Sequence, residues 1–231
     1  MQFLKYILGE NNMIASNNLK ETAYDHVKKM ILNNELEEDC VYSERKICSD
    51  IGVSRTPFHS ALQQLESEGY IDILPSRGFA LHQMSEQDIE ETFEIRSAIE
   101  FFCIYTLTKD YKNKTPKSNE TIDELEFLLE KQKKIFDTTA DIKEFVKYDF
   151  KFHETIVAYN QNSTFNAIYK THTYKIQNLA CKSLAHEGRM KNTIEEHQAI
   201  LSAVMRDDSA DLCEITMRHF NTPKYINLQD I

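Results

Sequence analysis

Apolar residues recur at helical spacing along the first third of the chain and predict three short helices. The first covers residues 18–33, with Leu19, Ala23, Val27, Met30 and Ile31 on its apolar face. The second begins after Ser43, a residue type suited to an N-cap, and ends at Gly52, where the missing Cβ favours a left-handed stop. The third begins after Ser54 and carries Phe58, Leu62 and Leu65 as its apolar stripe.

The second and third helices predict a helix-turn-helix, because a tight turn joins them and the third presents Arg55, Thr56 and His59 outward. An ordinary helical hairpin inside a core has the same pattern. Two short apolar runs at 71–74 and 79–81 then flank Pro75-Ser76-Arg77-Gly78, which is a hairpin signal with a basic residue at its tip. A helix-turn-helix followed by a hairpin is a winged helix, so we expect Arg77 to reach phosphate or the minor groove.

The rest of the chain has helical periodicity and shows no strand pattern. Ser85 caps a helix running to about Thr108, with Asp88 in its first turn, and residues 110–119 are predicted to form a loop. Further helices are expected at 121–136, 142–159, 164–184, 190–206 and 210–220. The fold class is therefore mainly α: an N-terminal winged helix-turn-helix at 14–82 and a C-terminal all-α antiparallel helical bundle at 85–222, able to hold a ligand and to mediate dimerisation.

Candidate chemistry in the bundle rests on one aspartate and three histidines. Asp149 and His153 are four residues apart on one predicted helix, so both point to the same side. His197 and His219 stand beside apolar residues on the last two predicted helices. Each histidine alone is more simply a core or surface residue, but together the four form a mixed N/O set suited to zinc, nickel, manganese or iron.

The N-terminal residues resemble the GntR family of bacterial transcription regulators. The matching segments are SER at 43–45, IGVSRTP at 51–57, AL at 61–62, LESEGYI at 65–71 and SRGFAL at 76–81. The resemblance implies DNA contacts by Arg45, Arg55, Thr56, His59, Arg77 and Gly78, each of which could instead be a solvated surface residue. The family usually has an arginine at the position of His59. Since a histidine is shorter and fully charged only at lower pH, operator preference or affinity is expected to differ.

The C-terminal half resembles the ligand-binding domain of the FadR subfamily, called FCD. The matching segments are EIRSAIE at 94–100, D-x3-H at 149–153, FHETIVAYNQN at 152–162, HQAILSAVMRDD at 197–208 and RHF at 218–220. The resemblance implies that Asp149, His153, His197 and His219 bind a divalent metal, zinc foremost, beside a small organic acid. Arg96 either holds the carboxylate of that effector or pairs with Glu100 four residues on.

Charge and cysteine usage refine this interpretation. The chain carries a net charge of −10, and residues 14–82 contain seven Lys and Arg against eleven Asp and Glu, a net charge of −4. Nonspecific affinity for DNA should therefore be weak, and specific binding must depend on a few placed arginines and on two DNA-reading heads, one winged helix from each chain of a dimer.

The five cysteines have no paired spacing, which is typical of reduced thiols in a cytoplasmic protein. Met13 could be the natural start, with residues 1–12 an extension.

Two classes of function remain. The first is a ligand-responsive regulator that binds an inverted-repeat DNA operator as a homodimer; we expect repression, although the residues separate neither repressor from activator nor one effector from another. The second is a metal-dependent hydrolase or oxygenase that uses Asp149, His153, His197 and His219. The enzyme is disfavoured because no HExxH or comparable motif supplies a general base and because the winged helix would have no role in it.

Overall fold

The computed structural model describes residues 18–33, 35–37, 39–207 and 209–231, with side chains 209 and 210 excepted. The question of a start at Met13 lies outside these residues. The chain divides between Gln83 and Met84 into two compact units. Each unit is described by itself below.

The N-terminal unit contains helix α1 at residues 18–32, α2 at Glu44–Ile51 and α3 at Arg55–Ser67, as the apolar spacing predicts. Gly52 ends α2 in the left-handed region at φ 68°, and Ser43 and Ser54 are the N-caps of α2 and α3. The core joins the apolar faces of α1 and α3, where Ala23, Val27, Phe58, Ala61, Leu62 and Leu65 are fully buried. Leu19 is 40% exposed, so the stripe of α1 begins one turn later than predicted.

A two-stranded antiparallel hairpin follows α3. Strand β1 is Ile71–Leu74 and β2 is Gly78–Leu81, with Ile71 opposite Leu81 and Leu74 opposite Gly78. The segment before α2 joins its outer edge, because Tyr42 N–H donates to the carbonyl of Phe79 at 2.7 Å and Phe79 N–H donates to the carbonyl of Tyr42 at 3.1 Å. These bonds tie the hairpin to the start of the helix-turn-helix and complete a winged helix.

The described part of the C-terminal unit is a bundle of seven helices. Their bounds are α4 Glu86–Lys112, α5 Pro116–Thr138, α6 Ile142–Tyr159, α7 Ser163–Thr171, α8 Thr173–Leu184, α9 Arg189–Arg206 and α10 Ser209–Gln229. Ser85 caps α4 through a capping box with Asp88. Fully buried side chains such as Phe145, Phe152 and Ile156 of α6 lie at the centre of the core. The mainly α fold class is confirmed.

Three predicted boundaries in this unit are wrong. Residues 110–119 are not a loop: α4 continues to Lys112, and Pro116 begins α5 after Thr115, whose side chain accepts from the backbone N–H of Ser118. A proline in the first helical turn loses no hydrogen bond, so the Pro and Ser signal marked a helix start. The predicted helix at 164–184 is two helices that meet at His172, and the last helix runs through Pro223 to Gln229.

No helix within the described ranges combines the length and the apolar character that a membrane crossing requires.

Candidate metal centre and nucleic-acid interface

The first turn of α3 presents polar side chains to solvent. Arg55, Thr56 and His59 are exposed, while Pro57 and Phe58 between them are buried. His59 Nδ1 lies 3.5 Å from a carboxylate oxygen of Glu44 on α2. This acidic neighbour offsets positive charge at the position where the family usually has an arginine, which reduces what His59 can offer to DNA phosphate.

Arg45 on α2 and Arg77 at the hairpin tip are also exposed. Ser76 beside Arg77 adopts φ 62°, and the N–H of Arg77 donates to the carbonyl of Leu74 at 2.9 Å, so the turn is tight. Gly78 has a structural reason to be glycine: its φ is 122°, and a Cβ there would overlap the carbonyl oxygen of Tyr42. Direct contact with DNA is therefore not needed to explain this residue.

The bundle brings the three predicted histidines together. Asp149 and His153 occupy successive turns of α6, while His197 lies on α9 and His219 on α10, and all four side chains are buried. Each histidine can place a ring nitrogen so that the three nitrogens lie within 4.8 Å of one another. Asp149 Oδ1 is 3.7 Å from His197 Nε2, so the carboxylate stands at the edge of the histidine cluster.

The Nε2 atoms point toward a common centre. His153 Nε2 lies 3.2 Å from His197 Nε2 and 3.2 Å from His219 Nε2. A single hydrogen on His153 Nε2 could serve only one of these two contacts. Nitrogens bound to one tetrahedral zinc ion at 2.0–2.1 Å are about 3.3 Å apart, so the observed spacing fits a shared metal ion.

The other ring nitrogen of each histidine faces an oxygen acceptor. His153 Nδ1 is 2.6 Å from Glu100 Oε2, His197 Nδ1 is 2.8 Å from Gln132 Oε1 and His219 Nδ1 is 2.7 Å from Glu196 Oε2. Hydrogen on Nδ1 leaves a lone pair on Nε2, which is the tautomer that metal ligation requires. Phe152 stacks on His197, with ring centroids 4.2 Å apart, and further restricts its ring.

Burial keeps two of these imidazoles neutral. It lowers the pKa of His197 well below 6.5, with the neighbouring His219 and His153 adding to the effect. Burial also lowers the pKa of His219, although the hydrogen bond to Glu196 acts in the opposite direction. Neutral imidazoles can ligate a cation, so the environment prepares the donor set for metal.

Two arginine–glutamate–histidine chains flank the histidine cluster. Arg96 Nε donates to Glu100 Oε1 at 2.9 Å, and the other oxygen of Glu100 faces His153. Arg189 donates through both terminal nitrogens to Glu196 at 2.8 Å, and Glu196 Oε2 faces His219. Both arginines are buried. Each glutamate therefore has a cation on one side and a histidine on the other, which fixes the ring that it orients.

Glu100 remains ionised despite complete burial. Burial alone would raise its pKa, but His153 and Arg96 lower the pKa to about 2. Glu196 behaves similarly, since His219 and Arg189 outweigh the effect of burial and lower its pKa. Buried carboxylates held in the charged form keep the histidines basic toward a cation.

A small cavity opens beside the histidine cluster. Its volume is about 20 Å³, which is room for about one water molecule. The polar side chains in its wall are Arg96, Asp149, His153, Ser183, Arg189, Thr193 and His219. Arg96 thus both pairs with Glu100 and lines the cavity, so the two roles considered for it are compatible.

Sequence reasoning did not identify Gln132, Arg189 and Glu196 as part of this site. Glu196 directly precedes His197 in the sequence but forms a hydrogen bond with His219, because α9 and α10 pack against each other. Arg189 lies seven residues before Glu196, two helical turns away on the same face. That spacing is the one signal that could have paired them, whereas the contact of Gln132 with His197 depends on packing between α5 and α9.

Comparisons with known proteins agree with both units. The description "Bacterial regulatory proteins, gntR family" matches residues 19–81, and the FCD domain matches residues 91–222. The chain belongs to the GntR family of bacterial transcription regulators. Its FCD domain is consistent with the FadR subfamily, and the family is one of transcription regulators rather than enzymes. The exposed arginines fall within the GntR match, and the histidine cluster falls within the FCD match.

Similar proteins support this assignment. An uncharacterised HTH-type transcriptional regulator of Bacillus subtilis is 24% identical over 200 residues, which is 86% of each chain. The gluconate operon transcriptional repressor of Bacillus licheniformis is 27% identical over 175 residues, covering 76% of this chain and 68% of that protein. Escherichia coli McbR/YncC has the same fold, with a TM-score of 0.65 at 18% identity over 92% of this chain and 98% of that chain.

Proposed function

We propose that this regulator binds an inverted-repeat operator as a homodimer and represses transcription until a small organic acid binds beside a metal ion in the helical bundle. The N-terminal unit would read DNA, and the C-terminal unit would bind the effector and dimerise. Repression is supported by the similar gluconate operon repressors. The observation that carries the proposal is the convergence of three Nε2 atoms: the rings of His197 and His219 are hydrogen-bonded at Nδ1 to an oxygen acceptor, and Nδ1 of His153 lies 2.6 Å from a carboxylate oxygen of Glu100.

The DNA-reading role follows from the exposed first turn of α3. A helix that presents Arg55 and Thr56 near its N-terminus can donate hydrogen bonds to base edges in the major groove. The acidic balance of this unit leaves little nonspecific attraction, so two symmetry-related heads must act together. The symmetry of such a dimer predicts an inverted-repeat operator.

Arg55→Ala should weaken binding to the selected operator by about 1–3 kcal/mol, because one base-reading arginine is lost from each head. Fragments selected from a random DNA library supply the operator, and gel-shift titration measures the affinity. Arg206→Ala is the matched control, since Arg206 is an exposed arginine near the end of α9 in the other unit. Equal operator affinity for wild type and Arg55→Ala would reject this role for Arg55.

The chemistry of the cavity indicates an anionic effector. A cation held by Asp149 and the three histidines attracts an oxygen anion if the ion takes a fifth or sixth ligand. Arg96 and Arg189 line the same cavity and offer guanidinium groups to a carboxylate. Since the cavity has room for about one water molecule, a carboxylate with its carbon skeleton needs the wall to move. A ligand that binds one arrangement better than another shifts the equilibrium between them.

The effector proposal predicts that a small mono-, di- or tricarboxylate raises the melting temperature of the metal-loaded protein and changes operator affinity. A coupling of about 1–3 kcal/mol corresponds to a change of roughly 5- to 150-fold. A thermal-shift screen of wild type and Arg96→Ala identifies the acid, and operator titration with the hit measures the coupling. An acid that stabilises both proteins equally, or leaves operator affinity unchanged, would contradict the proposed role of Arg96 or of the cavity.

A further inference from the structure

Helix α4 exposes one continuous stripe along most of its length. Its inward face is buried in the bundle, at residues such as Phe93, Ile104 and Leu107. After the first turns, where Glu86, Gln87 and Glu90 are also exposed, the exposed residues follow one another at intervals of three or four, which places them on one face of the helix. They are Glu91, Glu94, Ala98, Phe102, Tyr105, Lys109 and Lys112.

The stripe is acidic at its start, apolar in its middle and basic at its end. Phe102 is 51% exposed and Tyr105 is 36% exposed. Phe165 of α7 meets Phe102 edge-on, with ring centroids 5.8 Å apart, and Ile168 one turn later is 36% exposed. The apolar centre of the stripe therefore extends onto α7, and removing its apolar area from water would lower the free energy.

The order of acidic, apolar and basic residues makes the stripe complementary to a second copy of itself that runs in the opposite direction. When a second copy of α4 runs antiparallel with the two Phe102 side chains near the axis, Glu94 faces Lys109 of the second copy. Ala98 then faces Tyr105, so a small residue meets a large one. A parallel pairing would place like charges against each other. Isologous contacts about a two-fold axis require a surface that is self-complementary in this way.

We propose that this α4 stripe is the surface through which two copies of the chain pair, antiparallel and about a two-fold axis near Phe102. The inference rests on the homodimer of the proposed function and adds the face that forms it. The charge order selects a second copy over an unrelated partner, because both ends of the stripe find their complement in the same chain. A two-fold axis here would also give the two DNA-reading heads the symmetry of an inverted repeat.

Charge reversal tests the pairing through Glu94 and Lys109. Lys112 is left unchanged because its Nζ lies 2.5 Å from Asp207 within the chain. Glu94→Lys and Lys109→Glu should each weaken the dimer about tenfold, since two attractive pairs become repulsive. The double variant E94K/K109E should regain wild-type affinity. Equimolar mixing of the two single variants should also restore dimers, because each repulsive pair becomes attractive across the mixed interface.

The apolar centre is tested by Phe102→Glu, which should weaken the dimer by about 100-fold or more because a central aromatic contact is lost from both copies. Phe127→Glu is the matched control: Phe127 lies on α5 and is 52% exposed, but it is outside the stripe. Analytical ultracentrifugation of the full chain gives the dissociation constants. Circular dichroism and melting curves verify that the variants are folded.

The outcomes separate this inference from the proposed function. If wild type dimerises and binds the inverted repeat while all α4 variants keep wild-type dimer affinity, the stripe is not the interface and the proposed function stands. Dissociation by Phe127→Glu and not by Phe102→Glu would overturn the inference in favour of α5. A wild-type chain that stays monomeric with and without operator DNA would overturn both. If the single charge variants lose dimer affinity and E94K/K109E does not regain it, the antiparallel pairing is refuted.

Discussion

His153→Ala is expected to lose the bound metal ion that wild type holds at about one per chain. His153 is the decisive position because its Nε2 lies 3.2 Å from the Nε2 atoms of both other histidines. Without this nitrogen the remaining donors no longer surround a common centre, and metal affinity should fall by more than about 100-fold. Elemental analysis of protein prepared without chelator or nickel resin measures the metal content per chain. Melting curves with added zinc or manganese measure how far the metal raises the melting temperature.

Two further variants sharpen this test. His186→Ala is the matched control, because His186 is exposed, pairs with Asp230 at 3.0 Å and lies away from the cluster. Glu196→Gln keeps the shape of the side chain but removes the charge that orients His219, so metal affinity should fall by about 10- to 100-fold. A wild-type protein with no transition metal and no gain in melting temperature on adding zinc or manganese would leave the cluster as buried packing.

The same environment sets the pH at which metal should be released. Protons compete with metal for imidazole nitrogen, and an ordinary histidine begins to lose this competition near pH 6.5. Because burial lowers the pKa of His197 well below 6.5 and also lowers the pKa of His219, protonation of these rings requires more acid. Metal should therefore remain bound as the pH falls through 6.5 and be released at lower pH.

The sequence predicted those parts of the molecule that depend on local patterns. The helix-turn-helix was predictable because Gly52 and Ser54 mark its turn and because apolar spacing defines α3. The histidine cluster was predictable because the D-x3-H spacing puts Asp149 and His153 on one helical face. The break at His172 was not predictable, since no proline or glycine stands at the junction of α7 and α8.

The hydrogen-bond partners of the histidines were mostly hidden for a different reason. Glu100 and Gln132 reach the cluster from α4 and α5, far from the histidines in sequence, and only tertiary packing brings them within 3 Å. The sequence pattern suggested Glu100 as a partner of Arg96, which the structure bears out at 2.9 Å, but gave no sign that Glu100 also faces His153. Periodicity locates a face of a helix and does not reveal what that face meets.

Removal of the Arg96 side chain should produce the largest loss of stability among the changes considered. Arg96 is 5% exposed and Glu100 is fully buried, so Arg96→Met leaves a charged carboxylate without its guanidinium partner. Breaking one side of a buried ion pair typically costs about 3–5 kcal/mol. Tyr169, whose hydroxyl donates to Glu100 Oε1 at 3.1 Å, and His153 remain as partners, which places the expected loss near the lower end.

A double-mutant cycle distinguishes the ion pair from simple packing. Glu100→Gln removes the charge that Arg96 balances, so R96M/E100Q should be more stable than the sum of the single losses predicts, by about 0.5–3 kcal/mol. Urea unfolding of metal-free protein measures the free energy of unfolding of wild type, both single variants and the double variant. The pKa of Glu100 is lowered to about 2, so the stability that its ionised form contributes is present above its ordinary pKa of 4.5 and disappears as the pH falls toward 2. Additive losses at pH 7 would mean that Arg96 stabilises the bundle mainly through its contacts with Phe93 and Phe220 and not through the charge of Glu100.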